Sequence, residues 1–422
     1  MTKKIKVLTI SDHPLSPSGV GTQTKNFCMS LLETGRYSIT SLGGAIKHQS
    51  YEPMKIEPFE EDWTVIPVDS YGTQEMIRSV IRQEQPDILW IMTDPRFWGW
   101  LWAIENEIRP LVPIVYYHVW DNYPYPHFNN KYYSSNDHIA GISKVSYDIV
   151  KTVSPHVDSS YIPHAVDHKM FRALELEEIE NLREANLNEG DRDKFLLFWN
   201  NRNARRKQSG TLLYWFKEWL DKNDLHEKAQ LIMHTDPGDP HGQDLHQIID
   251  HLELSTHRQV LLSIQKIDPA ALAALYNMAD CTVNISDAEG FGLSTLESLS
   301  CGTPIIVNMT GGLQEQVTDG KQWFGVGLTP TSKAIIGSQE VPYIYEDRLS
   351  KEQFFSALTK MYKMGPTARR EMGLKGVQHV RDNYNYDTFK QSWVDLMDSV
   401  HEKFGSWDTR QHYNGVRFKE VA

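Results

Sequence analysis

Between residues 284 and 315, two glutamates and a glycine-containing loop have residue types and a spacing suited to ligand binding and catalysis. A β-rich run ending at Ile285 leads into Glu289–Gly290–Phe291–Gly292, and a helix predicted from about Ser294 carries Glu297. Glycines at a strand-to-helix turn expose backbone N–H groups, which can bind an anion. The pattern therefore predicts a βαβ unit with an anion site and two carboxylates at the carboxyl ends of its strands.

The glutamate on the predicted helix also has a purely structural interpretation. Ser294 followed by Glu297 fits a capping box, in which the glutamate only closes off the start of the helix. A glycine-containing turn between a strand and a helix is common in α/β proteins. These residues alone therefore leave the choice between a binding site and a structural turn open.

The longer string around the two glutamates resembles a known signature. EGFGLSTLE, CGTPIIV and GGLQE, within residues 289–315, resemble the donor site of retaining glycosyltransferases of family 4. The resemblance implies an α/β protein with the GT-B fold, in which two Rossmann-like, doubly wound domains face each other across a cleft. It also implies that Glu289 is catalytic and contacts the donor sugar, and that Glu297 contacts the ribose. The other donor-binding residues implied in this string are Gly290, Phe291, Gly292 and Leu293.

A basic loop, NNRNARRKQSG, follows a strand-like run at residues 194–199. Fixed cations stabilise charge that grows on a departing diphosphate, Arg as a bidentate fork and Lys as a point charge. A basic loop is more often a solvated surface. The resemblance implies that Arg202 and Lys207 are a catalytic, diphosphate-binding pair. Asn201 stands where the family has glycine, and Arg205 and Arg206 leave the role of each cation open.

Further glycines lie between the first predicted strand, at residues 5–10, and a helix. Gly19 and Gly21 could approach a phosphate or sugar closely, or could form only a tight turn. The resemblance implies a loop beside the donor diphosphate and the acceptor. It also implies that the backbone near Ile264 holds the nucleotide base. Because backbone contacts do not depend on side-chain identity, the sequence does not indicate which base is bound.

His118 ends a strand-like run at residues 114–117. A single histidine there is more often a hydrogen-bonded structural residue than a catalytic one. The similarity of VYYHVWD to the family implies that His118 is catalytic and faces the donor sugar. Aromatic side chains stack on sugars and on bases alike, and the loop after this strand is rich in them. The acceptor-binding residues predicted in it are Trp120, Asp121 and Tyr123.

The length of 422 residues exceeds one ordinary hydrophobic core and favours two domains. Strands alternating with helices predict mostly parallel sheets. We predict a Rossmann-like acceptor domain over residues 1–170 and a Rossmann-like nucleotide-sugar donor domain over residues 171–385. Residues 386–422 are predicted to form a helix that crosses back to the first domain, followed by a tail. Residues 321–345 look like an insertion of unassigned role before a helix predicted over residues 351–362.

Composition argues against several classes of protein. Hydrophobic residues make up 40% and charged residues 23%, and no apolar run reaches the roughly 18–20 residues of a membrane span. The N-terminus does not resemble a signal peptide, and the three cysteines show no CxxC spacing. Asp191–Arg192–Asp193 is formally a DxD string, but it lies in a polar turn. We therefore expect a cytoplasmic protein without a bound metal or cofactor.

Together these features predict a retaining glycosyltransferase that moves a sugar from a nucleotide diphosphate sugar, such as a UDP-sugar, to a hydroxyl acceptor. The acceptor is a glycan, a lipid or a small molecule. One alternative is the same chemistry on hydroxymethylated bases of DNA, although the net charge of −12 opposes loose binding to a polyanion. A second alternative is a sugar-nucleotide epimerase of the same fold. A phosphorylase would need a lysine that binds pyridoxal phosphate, and the sequence does not indicate one. A non-catalytic binding module would require that the two glutamates serve only in helix capping and packing.

Overall fold

The computed structural model describes residues 3–413 and divides them into two compact units. The first unit comprises residues 3–165, 338–342 and 387–413, and the second comprises residues 166–337 and 343–386. The chain thus passes into the second unit after Ala165, close to the boundary expected at residue 170. The end of the predicted tail, residues 414–422, lies outside the described residues.

The first unit alternates strands and helices along most of its length. In chain order its elements are β1 (Ile5–Asp12), α1 (Gly19–Leu32), β2 (Tyr37–Gly44), β3 (Met54–Lys55), β4 (Trp63–Pro67), α2 (Gln74–Glu84), β5 (Ile88–Thr93), α3 (Gly99–Trp102), α4 (Glu105–Ile108), β6 (Ile114–His118), α5 (Asn130–Ser134), β7 (His138–Gly141), α6 (Lys144–Val153) and β8 (Asp158–Tyr161).

These strands form one eight-stranded sheet in the order β3-β4-β2-β1-β5-β6-β7-β8. All neighbouring pairs are parallel except β3 with β4. The two central strands are in register at Ile10 and Ile91. Because parallel strands end at a common edge, the loops after β1 and β6 emerge on the same side of the sheet.

Most aromatic residues of the first unit lie in its core. Phe27 of α1 stacks on Trp90 of β5 with ring centroids 4.2 Å apart. Trp90, Tyr116 and Tyr117 are fully buried. Because stacked aromatic rings bury large apolar areas, these contacts fix α1 against the sheet.

The second unit repeats the strand–helix alternation. In chain order its elements are α7 (Leu176–Asn186), β9 (Phe195–Asn200), α8 (Ser209–Asn223), β10 (Ala229–His234), α9 (Leu245–His251), β11 (Val260–Ser263), α10 (Pro269–Met278), β12 (Cys281–Asn284), α11 (Leu293–Ser300), β13 (Ile305–Asn308), α12 (Leu313–Val317), β14 (Gly325–Leu328), β15 (Ser332–Ile336), β16 (Ile344–Arg348) and α13 (Lys351–Asn383).

Six of these strands form a parallel sheet in the order β11-β10-β9-β12-β13-β14. Its core contains Trp199, Trp219 and Phe354, all fully buried. The loops after β9 and β12, which carry the predicted cations and glutamates, leave neighbouring strands at the same edge. The sheet therefore brings these two loops together although they are about 80 residues apart in sequence.

The segment at residues 321–345 has regular structure. It contains β14, the edge strand of the sheet, and most of an antiparallel hairpin, β15–β16, in which Ala334 is opposite Glu346. The helix expected after it extends well beyond the predicted end at Tyr362. It continues to Asn383 across a kink at Gly365, which has a φ of 77° and is followed by Pro366.

A last helix, α14 (Tyr386–Phe404), lies in the first unit from residue 387 onward. Its Trp393 packs edge-on against Phe27 and Tyr117 at centroid distances of 4.9 and 4.8 Å. Asp398 of the same helix pairs with Arg36 at 2.8 Å.

Among residues 3–413, no helix combines the length and the apolar character needed to cross a membrane.

Candidate active site

The glycine-containing loop of the second unit is tightly constrained. Gly292 has a φ of 90°, and a Cβ at this position would lie 2.5 Å from the Leu313 side chain, so glycine is required here. Helix α11 begins directly after it, with no side-chain cap. Gln316 of α12 donates to the Phe291 carbonyl at 2.7 Å and so fixes the loop. The capping box considered for Glu297 is therefore wrong, because the helix begins earlier than that motif requires.

Lys207 of the basic loop and Glu289 of the glycine-containing loop form a buried ion pair. Lys207 Nζ donates to Glu289 Oε2, and the two residues are only 7% and 8% exposed. Arg206 lies 3.7 Å from the same carboxylate, and Asn284 donates to it at 3.4 Å. Burial alone would favour the neutral acid, but the charges of Lys207 and Arg206 outweigh it and lower the pKa of Glu289 to about 2. Glu289 is therefore ionised at neutral pH.

The other predicted cation, Arg202, has a different partner. Its guanidinium donates to Asp239 at 2.6 Å, and its side chain is 62% exposed. Arg206, whose role the sequence left open, is instead the second cation beside Glu289. Arg202 thus pairs with Asp239 in the loop after β10 and not with Glu289, and its role in binding a diphosphate stays a prediction.

The β15–β16 hairpin contributes charges that sequence reasoning missed. Glu346, which is 2% exposed, accepts from both Arg205 and Arg348. Arg348 also donates to Asp287 at 2.8 Å, and Gln208 donates to the same carboxylate at 2.6 Å. Burial raises the pKa of Asp287 to about 6, against the effect of these donors. The hairpin thus connects the basic loop after β9 to the loop after β12, which contains Asp287.

Backbone hydrogen bonds strengthen this connection. The Asp347 N–H donates to the Asp287 carbonyl at 2.9 Å, and the Asp287 N–H donates to the Arg206 carbonyl at 2.8 Å. Asn308 at the end of β13 donates to the Ser286 and Asp347 carbonyls at 2.9 and 3.0 Å. No motif in the sequence signals these contacts, because they join four segments that are far apart in the chain.

Glu297 lies on α11 and is fixed by a tyrosine. The Tyr276 hydroxyl of α10 donates to Glu297 Oε2 at 2.8 Å, and Asn200 at the end of β9 donates to the Tyr276 oxygen at 2.8 Å. Burial raises the pKa of Glu297 to about 7, although the bond from Tyr276 favours the charged form. Glu297 therefore titrates near neutral pH, whereas Glu289 does not.

The remaining predicted donor residues differ in how they could meet a ligand. Phe291 is 3% exposed and its ring lies edge-on to Tyr384, so its side chain is not open to a ligand. Gly290 and Leu293 are partly exposed at either end of the glycine turn. Ile264, directly after β11, is 61% exposed.

The two glycines predicted in the first unit have different surroundings. Gly21 is buried, and a Cβ there would lie 2.2 Å from Ser16 Oγ. Its N–H already donates to the side chain of Ser18, which caps α1, at 2.9 Å. Gly19 is exposed at the first position of the helix. Of the two, the space around Gly19 is the more accessible to a ligand.

His118 and the residues after it lie at the end of β6 in the first unit. The His118 ring is fully buried, its Nε2 lies 2.7 Å from the Tyr133 hydroxyl, and burial lowers its pKa to about 3. Trp120 is 5% exposed and donates to the Asn122 carbonyl at 3.1 Å. Asp121 and Tyr123 are partly exposed. The ring of His118 thus has the hydrogen-bonded surroundings of a structural histidine, and its contact with a sugar stays a prediction.

Similarity to solved structures establishes the class of fold. Sucrose-phosphate synthase from Thermosynechococcus elongatus aligns with 95% of this chain and 100% of its own, at a TM-score of 0.74 and 16% identity. HepE from Anabaena, in complex with UDP and glucose, aligns with 94% of this chain and 100% of its own, at a TM-score of 0.67 and 14% identity. The predicted GT-B fold is confirmed.

The sequence of the second unit identifies the family of its domain. Residues 180–339 match the model described as glycosyl transferases group 1. The alpha-monoglucosyldiacylglycerol synthase of Streptococcus pneumoniae is 28% identical over 179 residues, which is 42% of this chain and 38% of that protein. The D-inositol 3-phosphate glycosyltransferase of Frankia alni is 32% identical over 133 residues, 31% of this chain and 32% of that protein.

These matches span well under half of the curated relatives' lengths. Within this chain the family match at residues 180–339 includes Lys207, Glu289 and Glu297. The chain therefore carries a glycosyltransferase group 1 domain on a GT-B fold, and the resemblance read from its sequence is confirmed.

Proposed function

We propose that this protein is a retaining glycosyltransferase that transfers a sugar from a nucleotide diphosphate sugar, a UDP-sugar, to a hydroxyl acceptor. The buried Lys207–Glu289 pair beside the Gly290–Gly292 turn is the observation that carries the proposal. A cation, an ionised carboxylate and the backbone N–H groups at a helix start are the groups that a diphosphate and sugar hydroxyls need.

In the proposed reaction, the bond between the anomeric carbon and the diphosphate oxygen breaks while negative charge grows on the diphosphate. Lys207, Arg206 and the N–H groups at the start of α11 stabilise this charge, which is larger in the transition state than in the bound donor. These groups are held by the surrounding loops before the reaction begins. They therefore stabilise the charge without reorganising during the reaction.

The two glutamates have separate tasks. Glu289 stays ionised because its pKa is about 2, so it accepts hydrogen bonds from sugar hydroxyls and balances the charge of Lys207 before the donor arrives. Glu297 accepts hydrogen bonds from the ribose hydroxyls. The ends of β9, β11 and β12 would then hold diphosphate, base and sugar in turn, with the base near Ile264.

The acceptor is assigned to the first unit, at the loop after β6 where Asp121 and Tyr123 are partly exposed. Its hydroxyl attacks the anomeric carbon on the face that the diphosphate leaves, and its proton goes to the diphosphate. This route retains the anomeric configuration. The complex of the structurally similar HepE with UDP and glucose supports UDP as the nucleotide.

The test begins with calorimetric binding of UDP, GDP and ADP to the full chain, followed by turnover of the matching nucleotide sugars with glycan and small-molecule acceptors. We expect UDP to bind and UDP to be released in proportion to glycosylated product. Lys207→Ala and Glu289→Ala should abolish transfer. Lys217→Ala, which removes a cation from an exposed pair with Asp221 on α8, is the matched control and should retain it.

The same assays separate the alternatives. Conversion of the donor sugar without any acceptor would identify an epimerase. Transfer to DNA containing hydroxymethylated bases, with salt-dependent retention on that DNA, would identify the DNA-modifying activity. Binding of none of the nucleotides, or wild-type turnover by both the Lys207 and the Glu289 variant, would contradict the proposal.

A further inference from the structure

The carboxylate of Glu297 is fixed by two residues from other elements. Tyr276, on α10, is fully buried, and its hydroxyl donates to Glu297 Oε2 at 2.8 Å. Asn200, the last residue of β9, donates its amide N–H to the Tyr276 oxygen at 2.8 Å. The three side chains form a chain of hydrogen bonds in which each donor points toward the carboxylate.

The two carboxylate oxygens of Glu297 have different hydrogen-bonding surroundings. Within the described residues, the side-chain hydrogen bond from Tyr276 engages Oε2 of Glu297, and the residue remains partly exposed. A carboxylate can accept about four hydrogen bonds, two at each oxygen. Oε1 is therefore available to donors outside the protein, while Oε2 keeps the group from rotating.

The direction of the hydrogen bonds also favours the ionised form of Glu297. Asn200 can only donate through its amide nitrogen, so the Tyr276 oxygen accepts and its O–H donates to the carboxylate. A donor aimed at a carboxylate favours the charged form and opposes the effect of burial. Both consequences, orientation and charge, prepare the group to accept hydrogen bonds from a ligand.

We propose that Tyr276, supported by Asn200, is a positioning residue that holds Glu297 so that its free oxygen accepts hydrogen bonds from the two ribose hydroxyls of the donor nucleotide. The inference rests on the proposed function, which assigns Glu297 to the ribose. It adds that selection of ribose over 2′-deoxyribose depends on a residue that does not touch the nucleotide.

Removing the hydroxyl should expose this role while leaving the packing of the ring intact. Tyr276 packs edge-on against Phe198 at 5.0 Å, and Tyr276→Phe keeps that contact. A hydrogen bond to a charged group that is lost from a ligand complex typically weakens binding about 10-fold to 100-fold. We therefore expect wild-type protein to bind UDP at least about 10-fold more tightly than 2′-deoxy-UDP.

The experiment is calorimetric titration of UDP and 2′-deoxy-UDP into wild type and Tyr276→Phe, at pH 6 and pH 8.5. In the variant, UDP should bind about 10-fold more weakly. 2′-Deoxy-UDP, which keeps only the 3′-hydroxyl contact with Glu297, should lose less affinity, so the preference for ribose shrinks. The loss should be greater at pH 6, because without the donor the carboxylate is protonated at higher pH. Asn200→Ala should show the same pattern with a smaller amplitude.

Tyr37→Phe is the matched control. The Tyr37 hydroxyl also donates to a carboxylate, that of Asp398, from a fully buried ring, but both residues lie in the first unit. It should leave both nucleotides' affinities unchanged. Equal weakening of UDP and 2′-deoxy-UDP by Tyr276→Phe, or no weakening of either, would overturn the positioning role while leaving the proposed function intact. Failure of wild-type protein to bind either nucleotide would overturn both.

Discussion

Lys207 and Glu289, which are 82 residues apart in the chain, form a buried ion pair between the loops that follow β9 and β12. Each loop leaves the sheet at the carboxyl end of its strand, and these strands are neighbours. The pair places a cation and a carboxylate that is ionised at neutral pH side by side at the start of α11. The charge chemistry proposed for this protein depends on that placement.

Replacing Lys207 should separate its structural role from its catalytic role. Lys207→Met leaves Glu289 as a buried charge without its closest partner, so we expect the free energy of unfolding to fall by about 3–5 kcal/mol. The double variant Lys207→Met/Glu289→Gln removes both charges and should recover most of that stability, but no transfer activity. Urea unfolding and turnover of wild type, Lys207→Met, Glu289→Gln and the double variant are the measurements.

The control for this cycle is Lys217→Met, which breaks an exposed pair with Asp221. It should change the free energy of unfolding by about 1 kcal/mol or less. A double variant that regains turnover together with stability would show that the pair serves only the fold.

The raised pKa of Glu297 predicts a pH-dependent stability. The ordinary pKa of a glutamate is 4.5, and burial raises that of Glu297 to about 7 in the folded protein. Between these values the folded state binds more protons than the unfolded state, so the free energy of unfolding falls as pH rises. We expect this carboxyl to contribute a fall of about 1–3 kcal/mol between pH 4.5 and pH 7.

Urea unfolding of wild type and Glu297→Gln at pH 5 and pH 8 measures this contribution. The glutamine variant cannot titrate at this position, so its stability should depend less on pH than that of wild type. The same pH dependence in both proteins would show that Glu297 does not titrate in this range.

The β15–β16 hairpin should support donor binding through Glu346. Glu346→Gln weakens the bonds from Arg205 and Arg348, and we expect a loss of about 1–3 kcal/mol in stability. Because the freed arginines no longer hold the basic loop beside Asp287, the KM for the nucleotide sugar should rise while kcat changes less. Thermal unfolding and initial rates at varied donor concentration are the measurements.

Lys333→Ala provides the comparison on the same hairpin. Lys333 is half exposed and lies 3.8 Å from Asp347, so its removal should leave both stability and KM near wild type. Equal effects of the two substitutions would indicate that the hairpin acts only as a packed element.

Removal of divalent cations should not change the reaction. Lys207 and Arg206 supply positive charge beside the glycine turn, and the proposal assigns the leaving diphosphate to them. Turnover after dialysis against EDTA should therefore equal that before dialysis. A loss of activity that added Mg²⁺ or Mn²⁺ restores would contradict this assignment.

Much of the fold could be predicted from local patterns. Apolar runs followed by glycine turns located β12, α11 and β13, because strand and helix periodicities are local properties of the chain. The same patterns placed Lys207 and Glu289 at strand ends. The length of α13 and the hairpin before it were not predicted, since Gly365 and Pro366 read as a helix end and the hairpin has no strong turn signal.

The sequence by itself determined the glycosyltransferase domain, the alternation of strands and helices, and the charged residues available at the strand ends. Only the tertiary structure decided which charges pair. It directed Arg202 to Asp239, set Arg206 beside Glu289, and joined Tyr276 to Glu297. The physical reason is that long side chains reach several partners, and the choice among them depends on how segments far apart in sequence pack around the same edge of a sheet.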